Sequence, residues 1–319
     1  MISLIPLFFA GAFVGWNIGA NDAGNCIGTA VGSGLINYRR AVLLVSVSAL
    51  AGALLQGGQV METVGKGIVT SDLPSLAILV AMISAGLFVT TATLLRLPVS
   101  TSQAIVGGVA GVGFASGADV SLSKVASIAE VWVICPILVG LMAAAIYAVS
   151  VFLLRRLREG SIWQRLPNAL LILSACYISF SLGANHVGTA MGPITNLGIQ
   201  PGWLSLLGGL AVAAGALTFG SRVTRTVGSG ITPLGPLSAF SAQAAAAVAV
   251  HYFSILGIPV STSQAVVGAV IGVGLLHGLR TVKRRRIAGI AIGWVATPTA
   301  AGLFSFGLYK LLNHLVPGS

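Results

Sequence analysis

One stretch of this chain occurs twice, and it restricts the fold more than any other feature of the sequence. Residues 97–113 read LPVSTSQAIVGGVAGVG and residues 258–274 read IPVSTSQAVVGAVIGVG, with thirteen of the seventeen positions identical. Other segments recur in the same order at offsets of 161 to 164 residues: Gly19–Asp22 as Gly183–His186, Thr63–Ile68 as Thr226–Ile231, and Trp132 and Pro136 as Trp294 and Pro298. Self-similarity at a fixed spacing indicates an internal duplication. We therefore expect two related halves.

The apolar character of the chain places both halves in a membrane. Only 7% of the 319 residues are charged and 56% are hydrophobic, whereas about 25% are charged in soluble domains. Many apolar runs approach the ~20 residues that cross a bilayer as a helix. These runs are 3–36, 41–60, 74–95, 125–153, 167–182, 203–219, 236–257 and 287–312. They predict an all-α polytopic membrane protein and exclude a soluble domain. The net charge of +11 then reflects membrane topology and not binding of nucleic acid.

The basic residues indicate how the two halves are oriented. If Arg39 and Arg40 are cytoplasmic, 14 of the 17 Lys and Arg residues fall on that side, as the positive-inside rule expects. The basic loop 280–286 corresponds to residues 117–124, which carry Asp119 and one lysine. Equivalent loops of opposite charge character predict two inverted repeats of about five spans each. Both termini are then expected on the outer side of the plasma membrane. We expect a first inverted repeat (1–154), a basic cytoplasmic connector (155–166) and a second inverted repeat (167–319).

The PVSTSQ segments have the chemistry of an anion site. Pro98 and Pro259 break the chain, and the hydroxyl residues that follow are typical N-caps, so we expect helices to begin near Ser102–Gln103 and Ser263–Gln264. Helix N-termini present free N–H groups and a partial positive charge. Inverted-repeat transporters use such ends, on broken helices, at the midplane between their halves. Each segment is either the tip of a re-entrant hairpin or part of a full span, and we expect hairpins.

Asp22 is the second chemical feature, because a carboxylate at membrane depth costs roughly 2.5–3.5 kcal/mol on insertion scales. No Lys or Arg lies near it in the sequence, so its partner is a bound cation or a proton. Asn21 and Asn25 add the oxygen ligands that hard cations prefer. Glycines flank these residues within the long run 3–36, which predicts that the helix unwinds near its middle. The second copy has His186 in place of Asp22, and this histidine is either hydrogen-bonded within the bundle or handles protons.

At these residues the chain resembles the inorganic phosphate transporter (PiT) family. The segments that carry the resemblance are GANDAGNCIGTAVGSG (19–34), GANHVGTAMGP (183–193) and both copies of PVSTSQA. The resemblance implies a homodimeric sodium symporter for inorganic phosphate. It implies phosphate contacts from Thr101, Ser102, Gln103, Thr262, Ser263, Gln264 and Asn25. It implies sodium ligands among Asn21, Asp22, Asn25, Asn185, Gln103 and Gln264. The sequence departs from the family pattern at His186 and at Gly188-Thr189.

From these features we expect a secondary transporter that imports phosphate with Na⁺ by alternating access, without an organic cofactor and without enzymatic activity. Proton-coupled transport of phosphate or sulfate is the alternative, and an anion channel could use the same helix ends. An intramembrane enzyme would need a nucleophile and a base, for which His186 beside a serine is the only candidate pair.

Overall fold

A computed structural model of the protein describes residues 4–32, 34–95, 99–155, 162–221, 235–277 and 284–315. In the first half the helices are α1 (Leu4–Gly32), α2 (Tyr38–Gln56), α3 (Gly58–Glu62) followed by a π-helical turn (Thr63–Gly67), α4 (Ser75–Leu94), α5 (Thr101–Ser116) and α6 (Leu122–Arg155). In the second half they are α7 (Ile162–Leu182) with a π-helical turn (Gly183–Val187), α8 (Gly188–Met191) with a 3₁₀ turn (Gly192–Leu197), α9 (Pro201–Thr218), α10 (Pro236–Ile255), α11 (Thr262–Leu276) and α12 (Arg284–Leu315).

The described part of the chain is almost entirely helical, which confirms the all-α prediction. Its one β contact is an isolated bridge between Val69 and Val120. Several predicted features lie outside the described residues: Arg96, Pro98, the connector residues 156–161, Arg222, Arg225, the Thr226–Ile231 copy and residues 280–283 of the basic loop.

Six helical segments within the described residues are long and apolar enough to cross a membrane. They are Leu4–Gly32, Tyr38–Gln56, Ser75–Leu94, Leu122–Leu154, Arg165–Thr195 and Pro201–Thr218. The two remaining apolar runs of the sequence correspond to α10 and α12. Helices α5 and α11 have 16 and 15 residues, too few to span ~30 Å of hydrocarbon at 1.5 Å per residue. Each packs against the helix before it, so α4–α5 and α10–α11 are helical hairpins.

Helix α1 does not unwind, which corrects the expectation of a break near Asp22. It runs without interruption from Leu4 to Gly32. Unwinding is unnecessary because other helices satisfy its polar side chains: Asn17 Oδ1 accepts from Thr90 Oγ1 (2.8 Å) and Asn21 Nδ2 donates to Thr93 Oγ1 (2.8 Å). The irregular backbone occurs in the second copy instead, where Gly183–Val187 forms a π-helical turn.

The two short hairpin helices begin in the same way, one residue earlier than the sequence predicts. Ser100 (φ −91°, ψ 113°) caps α5 by accepting from the Gln103 amide at 3.3 Å. Ser261 (φ −96°, ψ 117°) caps α11 by accepting from the Gln264 amide at 3.2 Å. An N-cap residue is extended and its side chain binds an amide two or three residues on. The first serine of each motif therefore fixes the helix start, and Thr101 and Thr262 are the first helical residues.

Reciprocal contacts join the two halves. Helix α5 packs against α12, and its counterpart α11 packs against α6. At the first crossing, a Cβ placed on Gly107 would lie 2.9 Å from Cα of Pro298. At the second, a Cβ placed on Gly268 would lie 2.7 Å from Cα of Pro136. These four residues are equivalent pairs in the sequence repeat, so the short hairpin helix of each half rests on the long last helix of the other, as two copies related by an approximate two-fold axis would do.

Candidate functional site

The buried carboxylate of Asp22 connects the two hairpins. Asp22 is 1% exposed, and its Oδ2 accepts from Thr101 Oγ1 at 2.6 Å. Its Oδ1 accepts from Ser263 Oγ at 3.2 Å. Thr101 is the first residue of α5 and Ser263 the second residue of α11. One side chain of α1 thus holds the beginnings of both short helices, which are 161 positions apart in the chain.

Asn25 lies one helical turn beyond Asp22 and is the most exposed polar residue of this group. Its Nδ2 donates to Ser263 Oγ at 2.8 Å and to Asp22 Oδ1 at 3.4 Å. Asn25 and Thr29 are partly exposed, whereas Asn185 and His186 of the second copy are 0% and 1% exposed. The site is therefore more accessible from the side on which α1 ends.

The hairpin turns meet as the sequence predicts, although their hydroxyl groups are already engaged. Ser102 Oγ donates to the carbonyl oxygen of Val260, in the other hairpin, at 2.9 Å. Two helix N-termini therefore converge on the Asp22 region, and each contributes free backbone N–H groups and a partial positive charge. Thr101 and Ser263 donate their hydroxyl hydrogens to Asp22. The carboxylate therefore occupies the donor groups that would otherwise bind an anion.

Two glutamine oxygens in the same region have no protein partner. The Oε1 atoms of Gln103 and Gln264 are buried, and no hydrogen-bond donor approaches either of them within the described residues. A buried acceptor without a donor is costly, and it is a common mark of a ligand position. These oxygens can accept from a protonated phosphate oxygen or coordinate a cation.

The asparagines preceding Asp22 and His186 bond to the hairpins. Asn21 donates to Thr93 of α4, and Asn185 donates to Ser254 of α10, the equivalent position, at 3.1 Å. Asn185 also bonds to the turn between α10 and α11. The sequence places both asparagines near the site but does not reveal these partners.

His186 faces Asp22 across the site. Its Nε2 lies 3.8 Å from Asp22 Oδ2 and 3.4 Å from Thr262 Oγ1, while its Nδ1 has no partner among the described residues. The first half has the carboxylate at the equivalent position and the second has an imidazole. The helices and hairpins around the site are thus nearly symmetric, whereas the two central side chains, Asp22 and His186, differ.

Two supporting residues were not predicted. Trp132 donates its indole N–H to the carbonyl oxygen of Pro259 at 2.9 Å, and its recurrence as Trp294 is the signal that could have identified it. Gln243 donates to the carbonyl oxygen of Cys26 (2.8 Å) and to Thr29 Oγ1 (2.6 Å). Its only signal is a single amide within an apolar run. Both residues fix backbone next to the site.

The donor atoms around Asp22 suit a small hard cation. Apart from His186 they are carboxylate, amide and hydroxyl oxygens, the ligand type that such cations take. The described residues contain no group of three or more His, Cys, Asp and Glu side chains that could hold a transition metal. The same region offers N–H and O–H donors to an anion.

A helical membrane protein whose two repeats bring hairpin tips together around a buried polar centre belongs to the class of membrane transport proteins. Comparison with known proteins identifies the family. The chain matches the Phosphate transporter family over residues 18–166 and 155–305, so it is a member of that family.

Individual relatives agree with this assignment. A solved structure described as "The sodium-dependent phosphate transporter" superposes with a TM-score of 0.86 at 28% identity, covering 98% of this chain and 99% of the other. A Haemophilus influenzae protein, provisionally named a phosphate permease, is 28% identical over 96% of this chain and 95% of its own length. The chloroplastic inorganic phosphate transporter 2-1 of Arabidopsis thaliana is 29% identical over 99% of this chain and 74% of its own length.

Proposed function

We propose that this protein is a secondary transporter that imports inorganic phosphate together with Na⁺ by alternating access. The observation that carries the proposal is the position of Asp22, whose carboxylate accepts from Thr101 of one hairpin and Ser263 of the other. A bare carboxylate at the centre of an anion site repels phosphate. A cation bound to Asp22 compensates this charge and releases both hydroxyls for the anion, which makes phosphate binding depend on the cation.

The phosphate site is the space where the first turns of α5 and α11 converge. Its donors are the backbone N–H groups of these turns and the hydroxyls of Thr101, Ser102, Thr262 and Ser263. Gln103, Gln264 and Asn25 complete the set. Helix ends and neutral hydroxyls bind an oxyanion more weakly than arginine would, which suits a carrier that must release its substrate.

The cation site is Asp22 with Asn25 and the two glutamine oxygens. The side-chain oxygen of Asn185 is not among these ligands, because it already accepts from the Val260 N–H at 3.0 Å. Asn25 lies against the carboxylate, because its Nδ2 donates to Asp22 Oδ1 at 3.4 Å. The glutamine oxygens are buried and lack donors within the described residues.

The charge pattern of the sequence supports an orientation for this site. With Arg39 and Arg40 in the cytoplasm, the partly exposed side at Asn25 and Thr29 faces the cytoplasm. We propose two inverted repeats in the plasma membrane with both termini outside. Alkaline phosphatase fused to either terminus should then be active, and green fluorescent protein fused there should not fluoresce. The reverse result would invert the orientation.

The family resemblance also leads us to propose a homodimer. Cross-linking in native membranes should trap a species of twice the protomer mass at low cross-linker concentration. A protomer that stays monomeric in membranes and in detergent would contradict this assembly.

Uptake of labelled phosphate into proteoliposomes tests the function. We expect accumulation driven by an inward Na⁺ gradient and no such accumulation with an Asp22→Asn variant. Equal uptake with Na⁺ and with choline would remove sodium coupling, and accumulation driven by a proton gradient instead would support proton coupling. Counterflow of labelled phosphate against unlabelled phosphate separates a carrier from an anion channel.

A further inference from the structure

Asn185 uses both ends of its side chain to hold the second hairpin. It is 0% exposed. Its Nδ2 donates to Ser254 Oγ at 3.1 Å and to the carbonyl oxygen of Ile258 at 3.0 Å, and its Oδ1 accepts from the backbone N–H of Val260 at 3.0 Å. One residue of the second repeat thus binds the last turn of α10 and both sides of Pro259.

The backbone that Asn185 holds cannot satisfy itself. Residues 256–261 connect α10 to α11, and their helical hydrogen bonds are those at the end of α10 and the bond from the Ala265 amide to the Ser261 carbonyl. Water is scarce at membrane depth, so polar backbone groups there need protein partners. Three consecutive carbonyl oxygens of this turn accept hydrogen bonds from three different elements. The Ile258 oxygen accepts from Asn185, the Pro259 oxygen from Trp132 and the Val260 oxygen from Ser102.

This turn sets the position of the proposed phosphate-binding residues that follow it. Ser261, Thr262 and Ser263 come directly after Val260, and Ser263 donates to Asp22 at 3.2 Å. Holding the Val260 amide fixes where α11 begins and therefore where its free N–H groups point. Loss of the Asn185 bonds would misplace the anion side of the site without removing any group that touches the anion.

The same bonds leave Asn185 without a free oxygen to coordinate a cation. Its side-chain oxygen already accepts from Val260, and its backbone oxygen accepts from Thr189 Oγ1 at 2.9 Å. The next residue is His186, whose imidazole offers no anionic oxygen where the first repeat has the Asp22 carboxylate. The second GAN segment (residues 183–186) therefore lacks the anionic ligand that the first (residues 19–22) provides with Asp22.

We propose that Asn185 is a positioning residue for the phosphate side of the site and that the second GAN segment, residues 183–186, supplies no ligand to the coupling cation. This inference rests on the proposed sodium-coupled function and deepens it, because it places the whole cation site on α1 and the hairpin glutamines. It also replaces the sequence-based expectation that Asn185 is a sodium ligand.

The test separates the apparent affinity for phosphate from that for Na⁺ in the purified full-length protein. Asn185→Leu removes all three bonds at similar volume, and we expect it to raise the half-saturating phosphate concentration roughly tenfold or more, as the loss of one or two hydrogen bonds would. The half-saturating Na⁺ concentration should rise by a clearly smaller factor, because Asp22 and Asn25 stay on α1 and only Gln264 moves with α11. Asn25→Ala is the matched comparison, for which we expect the Na⁺ value to rise.

Stabilisation by Na⁺ gives a second readout that does not depend on transport. The midpoint of thermal unfolding is followed as NaCl replaces choline chloride at constant ionic strength. Asn185→Leu should unfold at a lower temperature throughout, and the Na⁺ concentration range over which it responds should shift less than in Asn25→Ala. A shift of that range as large as the one in Asn25→Ala would overturn the inference.

A milder variant covers the case in which Asn185→Leu does not fold. Ser254→Ala removes one of the three partners and leaves the Asn185 oxygen in place. We expect a smaller rise in half-saturating phosphate and an unchanged Na⁺ response, and a raised Na⁺ requirement without any phosphate effect would overturn the inference. If wild type itself shows no response to Na⁺, the proposed sodium coupling fails. If wild type responds and Asn185→Leu shifts that response as far as Asn25→Ala does, only the inference fails.

Discussion

The crossing between α5 and α12 offers the sharpest test of how the two halves support the site. Gly107 of α5 faces the backbone of Pro298, and an added Cβ would lie 2.9 Å from both Cα and C of that residue. Ordinary van der Waals contact begins near 3.4 Å. The obstacle is backbone, so no side chain can rotate away, and Gly107→Ala must push the two helices apart.

The structure sets the size of the effect. Overpacking of a filled interior costs about 1–3 kcal/mol. Thr101 lies six residues before Gly107 on the same helix, about 9 Å away along the axis. A displaced α5 moves the Thr101 hydroxyl away from Asp22, and this 2.6 Å bond to a charged group is worth about 1.5–3 kcal/mol. We therefore expect lower stability together with a loss of transport of about tenfold or more, since ~1.4 kcal/mol corresponds to a factor of ten.

The assays are thermal unfolding in detergent and phosphate uptake into proteoliposomes. Gly307→Ala on α12 is the matched control, because nothing lies within 4 Å of a Cβ at that position. Alanine favours helix over glycine by up to about 1 kcal/mol, so the control should be neutral or slightly stabilised. Equal unfolding temperatures for Gly107→Ala and Gly307→Ala would refute the close packing on which the reasoning depends.

Three further predictions follow from single contacts at the site. Gln264→Leu should weaken phosphate binding roughly tenfold and sulfate binding by less, because sulfate carries no proton for the glutamine oxygen to accept and the two anions share only the loss of a cation ligand. Equal loss for both anions in a competition assay would contradict this role. Trp132→Phe removes the bond to the Pro259 carbonyl and should cost about 1 kcal/mol of stability, measured as a lower unfolding midpoint than wild type. His186→Asp places a second carboxylate near Asp22, where like charges ~4 Å apart repel by about 4 kcal/mol at an effective dielectric of 20. That variant should be unstable in choline and gain more stability from Na⁺ than wild type does, and an unchanged Na⁺ response would count against it.

The sequence predicts the features of this fold that are encoded locally or by repetition. The duplicated PVSTSQA motif indicates two equivalent helix starts, and Ser100 and Ser261 cap them within one residue of the predicted position. The isolated charge at Asp22 identifies the centre of the site. Each of these inferences needs only neighbouring residues or an internal copy.

Features that depend on distant partners could not be predicted in the same way. Asn21 and Asn185 are examples, because their amides bond to Thr93 and Val260, which lie 72 and 75 residues further along the chain. The expected break in α1 is wrong for the same reason, since residues of α4 satisfy its asparagines. Glycines near a polar cluster are compatible with an unwound helix and with close packing, and only the tertiary contacts distinguish the two.

The asymmetric centre of this nearly symmetric scaffold has an electrostatic consequence. Each converging helix N-terminus contributes roughly half a positive charge, so the two together offset about one negative charge. A carboxylate in each repeat would cancel that contribution and add a second charge for cations to compensate before phosphate could enter. With Asp22 opposite His186, a single cation would neutralise the one carboxylate that the described residues place at the site, and the helix ends would remain available to the anion. If phosphate and Na⁺ bind as proposed, histidine in place of a second carboxylate lowers the number of cations that phosphate binding requires.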